Sequence, residues 1–152
     1  MKPNILYIMA DQLRYQSCGY AGDPHARTPN IDRLAAGAVN FTNAISNTPV
    51  CAAYRASLLT GKYTTSTGMV INELRLNPDH HQRPLAKCLT DDGYTTAYVG
   101  KWHLYANELG NHFDPKNSFV PAGKHRLGFD GFFSHYGFHH QYYGDKAYYH
   151  LD

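Results

Sequence analysis

The chain has 152 residues, 43% of them hydrophobic and 17% charged, which allows one domain with a sizeable core and excludes disorder as its organising state. The 14 Lys+Arg against 12 Asp+Glu leave a net charge of +2 with the basic residues scattered, which argues against nucleic acid as a partner. No run approaches the roughly 18 apolar residues a membrane helix needs, and Cys18, Cys51 and Cys88 make neither a disulfide framework nor a Cys-x-x-Cys pair.

Residues 4–10, Asn-Ile-Leu-Tyr-Ile-Met-Ala, form a short apolar run that predicts a central strand buried on both faces. It is too short for a secretory signal, so the sequence as written predicts a cytoplasmic protein, or a periplasmic or secreted one whose leader has been removed. Asp11 and Gln12 follow at the strand's C-terminal end, where open α/β sheets bind their ligands. A loop over 19–27 leads to Thr28-Pro29, a helix start, with Ile31, Leu34 and Ala35 as the apolar stripe and Gly37 as the stop. Residues 39–45 predict a short strand. A second helix is expected over 52–60, closing at Gly61, which puts Cys51 at a helix N-terminus. A third is expected over 84–92, stopping at Gly93. Residues 95–99 predict the next strand, with Gly100-Lys101-Trp102-His103 at its end. Residues 107–152, rich in Gly, Tyr, Phe and His, predict loops and short strands of the same domain. The alternation predicts an α/β fold, a mostly parallel sheet sandwiched by helices.

Three polar groups each follow an apolar element: Asp11 with Gln12, Cys51 with Arg55, and Lys101 with His103. They combine oxygen donors for a hard cation, a modifiable nucleophile and cations able to hold an anion. That set suits transfer of a tetrahedral oxyanion, sulfate or phosphate. A Cys-x5-Arg phosphatase loop is excluded because position 57 is Ser.

Pro49-Val-Cys51-Ala-Ala53-Tyr-Arg55, continuing to Leu58-Leu-Thr-Gly61, resembles the type I sulfatase signature. Thr28-Pro-Asn-Ile-Asp-Arg-Leu-Ala35 resembles the helix that precedes it, and Gly100-Lys-Trp-His-Leu104 the second signature. Residues 4–12 are similar to the family's first strand and acidic pair, so the resemblance covers about residues 3 to 104. It implies an alkaline-phosphatase-like fold of which residues 1–152 are an incomplete, N-terminal part of one catalytic domain. It also implies a hydrolase of sulfate esters acting through a formylglycine hydrate derived from Cys51. By the same resemblance Arg55 orients that group, Lys101 binds a sulfate oxygen, and His103 serves both substrate and catalysis. Asp11, Gln12 and the oxygen at position 51 are implied to hold Ca2+ or Mg2+. The implied partners are a sulfated small molecule or glycan and a formylglycine-generating maturase, with no nucleic acid and no membrane.

Two positions depart from the pattern. Gln12 stands where a second Asp is usual, removing a negative charge, and Ala53 stands where Pro is commonest, resembling the variant handled by anaerobic radical maturases. The family's remaining metal ligands, second Lys and second His are expected beyond residue 152. The alternatives are a phosphonate monoester or phosphodiester hydrolase using the same site, and a non-catalytic fragment. His80, His81, His135, His139 and His140 lack zinc-ligand spacing and are expected to pack or to face a rim. Asn40-Phe-Thr42 matches a glycosylation sequon inside an expected strand, and His25 and Arg27 lie on a loop with no assigned role.

Overall fold

The structure is a computed structural model that describes residues 2–105, 119–136 and 149–151. The chain divides into two compact units, Met1–Ile45 and Ser46–Asp152.

The first unit holds two 3-10 turns, Tyr15–Ser17 and Gly19–Ala21, and helix α1, Pro29–Ala36. Thr28 precedes the helix as expected, but its hydroxyl does not cap it. Instead it accepts from the Gly19 N–H at 2.8 Å and donates to Asp32 Oδ1 at 2.8 Å, the atom that also accepts from the Tyr20 N–H. One carboxylate on the first turn of α1 thereby fastens the Gly19–Ala21 turn. A Cβ at Gly19 would come within 2.7 Å of Asp32 Oδ2, so a larger residue there would displace the carboxylate that fastens the turn.

Residues 4–10 and 39–45 are not strands in this structure. Leu6 is 85% exposed and Ile8 81%, so the apolar run has the composition of a buried strand without the burial. A strand needs neighbours to supply its ladder bonds and cover its faces, and no strand among the described residues pairs with it.

In the second unit, helix α2 spans Cys51–Thr60, the single turn α3 Thr64–Thr67, and α4 Leu85–Asp91. Gly61 ends α2 in the left-handed conformation, φ 68°, its N–H donating to the Ser57 carbonyl at 2.9 Å. Strands β1 (Tyr98–Lys101), β2 (Phe133–Tyr136) and β3 (Tyr149–Leu151) form a sheet in that order. The β1–β2 pair is parallel, with Tyr98 opposite Phe133 and Lys101 opposite Tyr136, and β2–β3 is antiparallel. The expected strand at 95–99 is therefore displaced toward its C-terminus, and β2 and β3 fall in the stretch expected to hold loops and short strands.

The core of this unit gathers Ala52, Ala56 and Leu59 of α2 with Met69, Leu76, Trp102, Leu104, Val120, Leu127 and Phe133. Ala52, Ala53 and Ala56 are fully buried; their methyl groups let the α2 backbone lie close against the rest of the unit. Gly131 makes a second close approach. Its N–H donates to the Thr96 carbonyl at 3.1 Å, and a Cβ on it would lie 2.2 Å from that oxygen.

Candidate active site around Cys51

Cys51 is the first residue of α2, preceded by Val50 in extended conformation. No local side chain caps this end. The Ala52 N–H, one of the donors a helix start leaves without an intrahelical partner, is bound by Asn72 Oδ1 at 3.0 Å. A residue 20 positions away thus does the work of a local cap.

Arg55 lies one turn after Cys51, on the same face of the helix by the i, i+4 relation. It is 6% exposed. Its Nη1 donates to the Lys101 main-chain carbonyl at 2.5 Å and to the Tyr98 hydroxyl at 3.3 Å. The Tyr98 hydroxyl donates to that same carbonyl. The first turns of α2 are in this way tied to the end of β1, and Cys51, Arg55 and Lys101 are gathered in one region although 46 positions separate Arg55 from Lys101.

Lys101 through Leu104 form a continuous buried run. Trp102 anchors it, packing edge-on against Tyr98 with ring centroids 4.9 Å apart and against Phe133 at 5.2 Å. Lys101 is 4% exposed and His103 1%. Arg55 and Lys101 are two buried cations of the unit that carries Cys51, and α2 begins at Cys51 with the positive end of its dipole, a setting that favours an anion.

His103 has φ 60° and Gln12 φ 55°, and with Leu127 these are the only non-glycine residues with positive φ among the described residues. Such backbone costs about 1–3 kcal/mol per residue and collects at functional sites. Two of the three positions are ones the sequence had singled out. Asp11 and Gln12 are exposed and belong to the first unit. Among the described residues no group of three or more His, Cys, Asp or Glu side chains stands ready to hold a metal.

Tyr98 and Asn72 were missed by the sequence reading. Each gains its role only through a partner distant in sequence, Ala52 for Asn72 and Arg55 for Tyr98. Of the histidines, His135 packs, as expected. It is 1% exposed, its ring centroid lies 4.9 Å from that of Phe133, and its Nε2 accepts from the Val120 N–H at 2.9 Å. His139 and His140 lie outside the described residues. The Asn40 sequon falls in the exposed 39–45 segment, and the His25 N–H closes a turn on Asp23 Oδ1 at 2.9 Å.

The family model described as Sulfatase matches residues 3–151, nearly the whole chain. The chain belongs to the sulfatase family. It is 49% identical over 129 residues to the ulvan-active sulfatase of Formosa agariphila, an overlap covering 85% of this chain and 23% of that protein. A solved Bacteroides fragilis protein assigned as a sulfatase superposes with TM-score 0.74 at 31% identity, over 97% of this chain and 36% of the other. A second solved protein, in complex with its substrate D-glucosamine-2-N,6-O-disulfate, gives TM-score 0.74 at 28% identity over 100% of this chain and 28% of its own. The sulfatase chain therefore has the alkaline-phosphatase-like α/β fold, and it spans about a quarter of the length of the curated relatives it matches. Its three-stranded sheet and α2 correspond to a part of that larger architecture.

Proposed function

We propose that the protein carrying this chain hydrolyses sulfate esters, with a sulfated sugar as substrate and Cys51 as the residue matured to formylglycine. The observation that carries the reading is the bond from Arg55 Nη1 to the Lys101 main-chain carbonyl, which ties the helix that begins with Cys51 to the strand end that carries Lys101, both residues being buried. The solved relative that binds a disulfated glucosamine supports a sulfated sugar over other sulfate esters.

When formed, the aldehyde at position 51 supplies, as its hydrate, an oxygen nucleophile that can later release sulfate without a separate hydrolysis of a stable ester. The chain's own residues do the rest. Arg55, one turn along the helix, offsets negative charge at position 51. Lys101 binds a sulfate oxygen, and its burial strengthens that contact by excluding water. His103 exchanges a proton with the reacting oxygen. Asp11 and Gln12 are assigned to a Ca2+ or Mg2+ ion on the family resemblance. A carboxylate and an amide oxygen fit the chemistry of a hard cation, but as two donors they leave most of a shell of roughly six to eight oxygens to be supplied elsewhere.

The test has two parts, both on the protein in its natural length from its own host. Mass analysis of the peptide containing Cys51 should show the aldehyde in place of the thiol. The kcat/KM on an aryl sulfate should exceed that on an aryl phosphonate. A wholly unmodified thiol, or a preference for the phosphonate, would overturn the assignment. The second outcome would select the phosphonate monoester or phosphodiester reading instead.

A further inference from the structure

At the other end of α2 from Cys51 lies a pocket of about 330 Å3, bounded by Thr60 and Lys62 on one side and by the segment 79–83 on the other. Cys51 and Thr60 are the first and last residues of the ten-residue helix, and nine steps at 1.5 Å per residue put them roughly 14 Å apart along the axis. The pocket therefore stands apart from the site around Cys51.

Its lining is biased toward positive charge. Lys62 and Arg83 are exposed at its rim, and the Lys62 ammonium is steered by donating to the His80 carbonyl at 3.0 Å. The acidic member of the lining, Asp79, is already engaged: both carboxylate oxygens accept from Lys124 Nζ, at 2.8 and 2.9 Å. That contact holds the Asp79 carboxyl below its ordinary range, with the charges of Lys124, His125 and His80 acting the same way.

His81 is the unusual member. It is 5% exposed, and neither Nδ1 nor Nε2 has a hydrogen-bond partner among the described residues. Native structures rarely leave a buried polar atom unsatisfied without a reason. Burial, then the neighbouring charges of Lys62 and His80, push its pKa below the ordinary histidine value, so at neutral pH the ring offers one N–H donor. A zinc ion is a poor match, since it would have to join His81 against the positive charges of Lys62 and Arg83.

We propose that this pocket is an oxyanion-binding site distinct from the Cys51 site, taking a sulfate- or phosphate-type group through the His81 N–H, the Lys62 ammonium and the Arg83 guanidinium. Arg83 supplies the planar fork that suits two oxygens at once, and Lys62 a point charge. The proposal does not depend on the sulfatase reading, because none of these residues belongs to the catalytic set.

The experiment is a titration of the natural-length protein, labelled at its histidine rings, with sodium sulfate and separately with a sulfated oligosaccharide. Ionic strength is held constant with chloride, and the His81 ring resonances are followed by NMR. Saturable movement of those resonances is expected. Lys62→Gln and Arg83→Gln, both exposed positions, should each weaken the apparent affinity fivefold or more while leaving kcat on a small aryl sulfate unchanged. Saturation by the free ion and by the oligosaccharide alike marks a site for the bare oxyanion. Saturation by the oligosaccharide at much lower concentration marks a subsite for a sulfated chain. The proposal is overturned if the His81 signals stay fixed with both probes, if chloride alone reproduces the shift, or if both variants titrate like wild type.

Discussion

Replacing Tyr98 with Phe removes one oxygen and leaves the ring in place. The ring packs against Trp102, Phe129 and Phe133 at centroid distances of 4.9, 5.3 and 5.5 Å, and Phe preserves all three contacts. What goes is the hydroxyl that donates to the Lys101 carbonyl and accepts from Arg55 Nη1 at 3.3 Å. The carbonyl is not orphaned, since Arg55 still donates to it at 2.5 Å. The two bonds lost should therefore cost about 1–2 kcal/mol together, their net value, without the further penalty of a buried acceptor stripped of every partner. Urea unfolding should show a lower midpoint with an unchanged slope. On the proposed activity, freeing one side of Arg55 should lower kcat/KM of the natural-length protein up to about tenfold, the equivalent of 1.4 kcal/mol. Tyr98→Ala, which also removes the ring, should cost roughly 3 kcal/mol or more in stability. Equal stability and equal kcat/KM for Tyr98→Phe and wild type would show that the hydroxyl carries no part of the link between α2 and β1. A loss from Tyr98→Phe as large as that from Tyr98→Ala would show that the ring had moved as well.

Gly131→Ala should be among the most damaging single changes, since its Cβ would lie 2.2 Å from the main-chain Thr96 oxygen and backbone must shift to make room. A loss of about 2 kcal/mol or more in urea unfolding is expected; a change below roughly 0.5 kcal/mol would contradict the close approach. Asp32→Ala removes the acceptor shared by the Tyr20 N–H and the Thr28 hydroxyl. It should cost about 1–2 kcal/mol and speed hydrogen exchange at Tyr20 more than anywhere in α2; uniform exchange changes would argue against that local role. His81 and His125 both have pKa values held below the ordinary 6.5, chiefly by burial. The unfolded chain thus takes up protons first as pH falls through 6.5, and stability should decline from there toward pH 5.5. Denaturant midpoints across that range should fall less steeply for His81→Leu; an identical slope would remove His81 from the account.

Helices were readable from the sequence because their signals are local. Pro29, Gly37, Gly61 and Pro84 mark boundaries that the structure places within a residue of expectation. The Cys51–Arg55 pair was equally legible, four residues apart on one helix. Strands were harder. Residues 4–10 have the composition for burial on both faces, but composition does not name the neighbours that would bury them, and here Leu6 and Ile8 remain exposed. The Thr95–Val99 stretch gave a strand only from Tyr98, where its register with β2 begins opposite Phe133; ahead of that the two segments share the single bond from the Gly131 N–H to the Thr96 carbonyl. For the site, the sequence identified the charged residues but not what holds them. Asn72 and Tyr98 act across 20 and 43 positions from their partners on α2, and no pattern in one dimension marks such a contact.

Arg55 and Tyr98 both hold position 101 by its main-chain oxygen. Every amino acid offers that oxygen, so this fastening does not depend on which side chain stands there. The ammonium at position 101 is in that respect an interchangeable part: it can be exchanged for an amide, a shorter amine or an unnatural cation while the clasp from the helix remains. Arg55 is not interchangeable in the same way, since one guanidinium both grips the scaffold and sets the charge beside Cys51. If Lys101 binds the sulfate as proposed, a designer wishing to retune the preference for one oxyanion over another would begin at 101 and leave 55 alone.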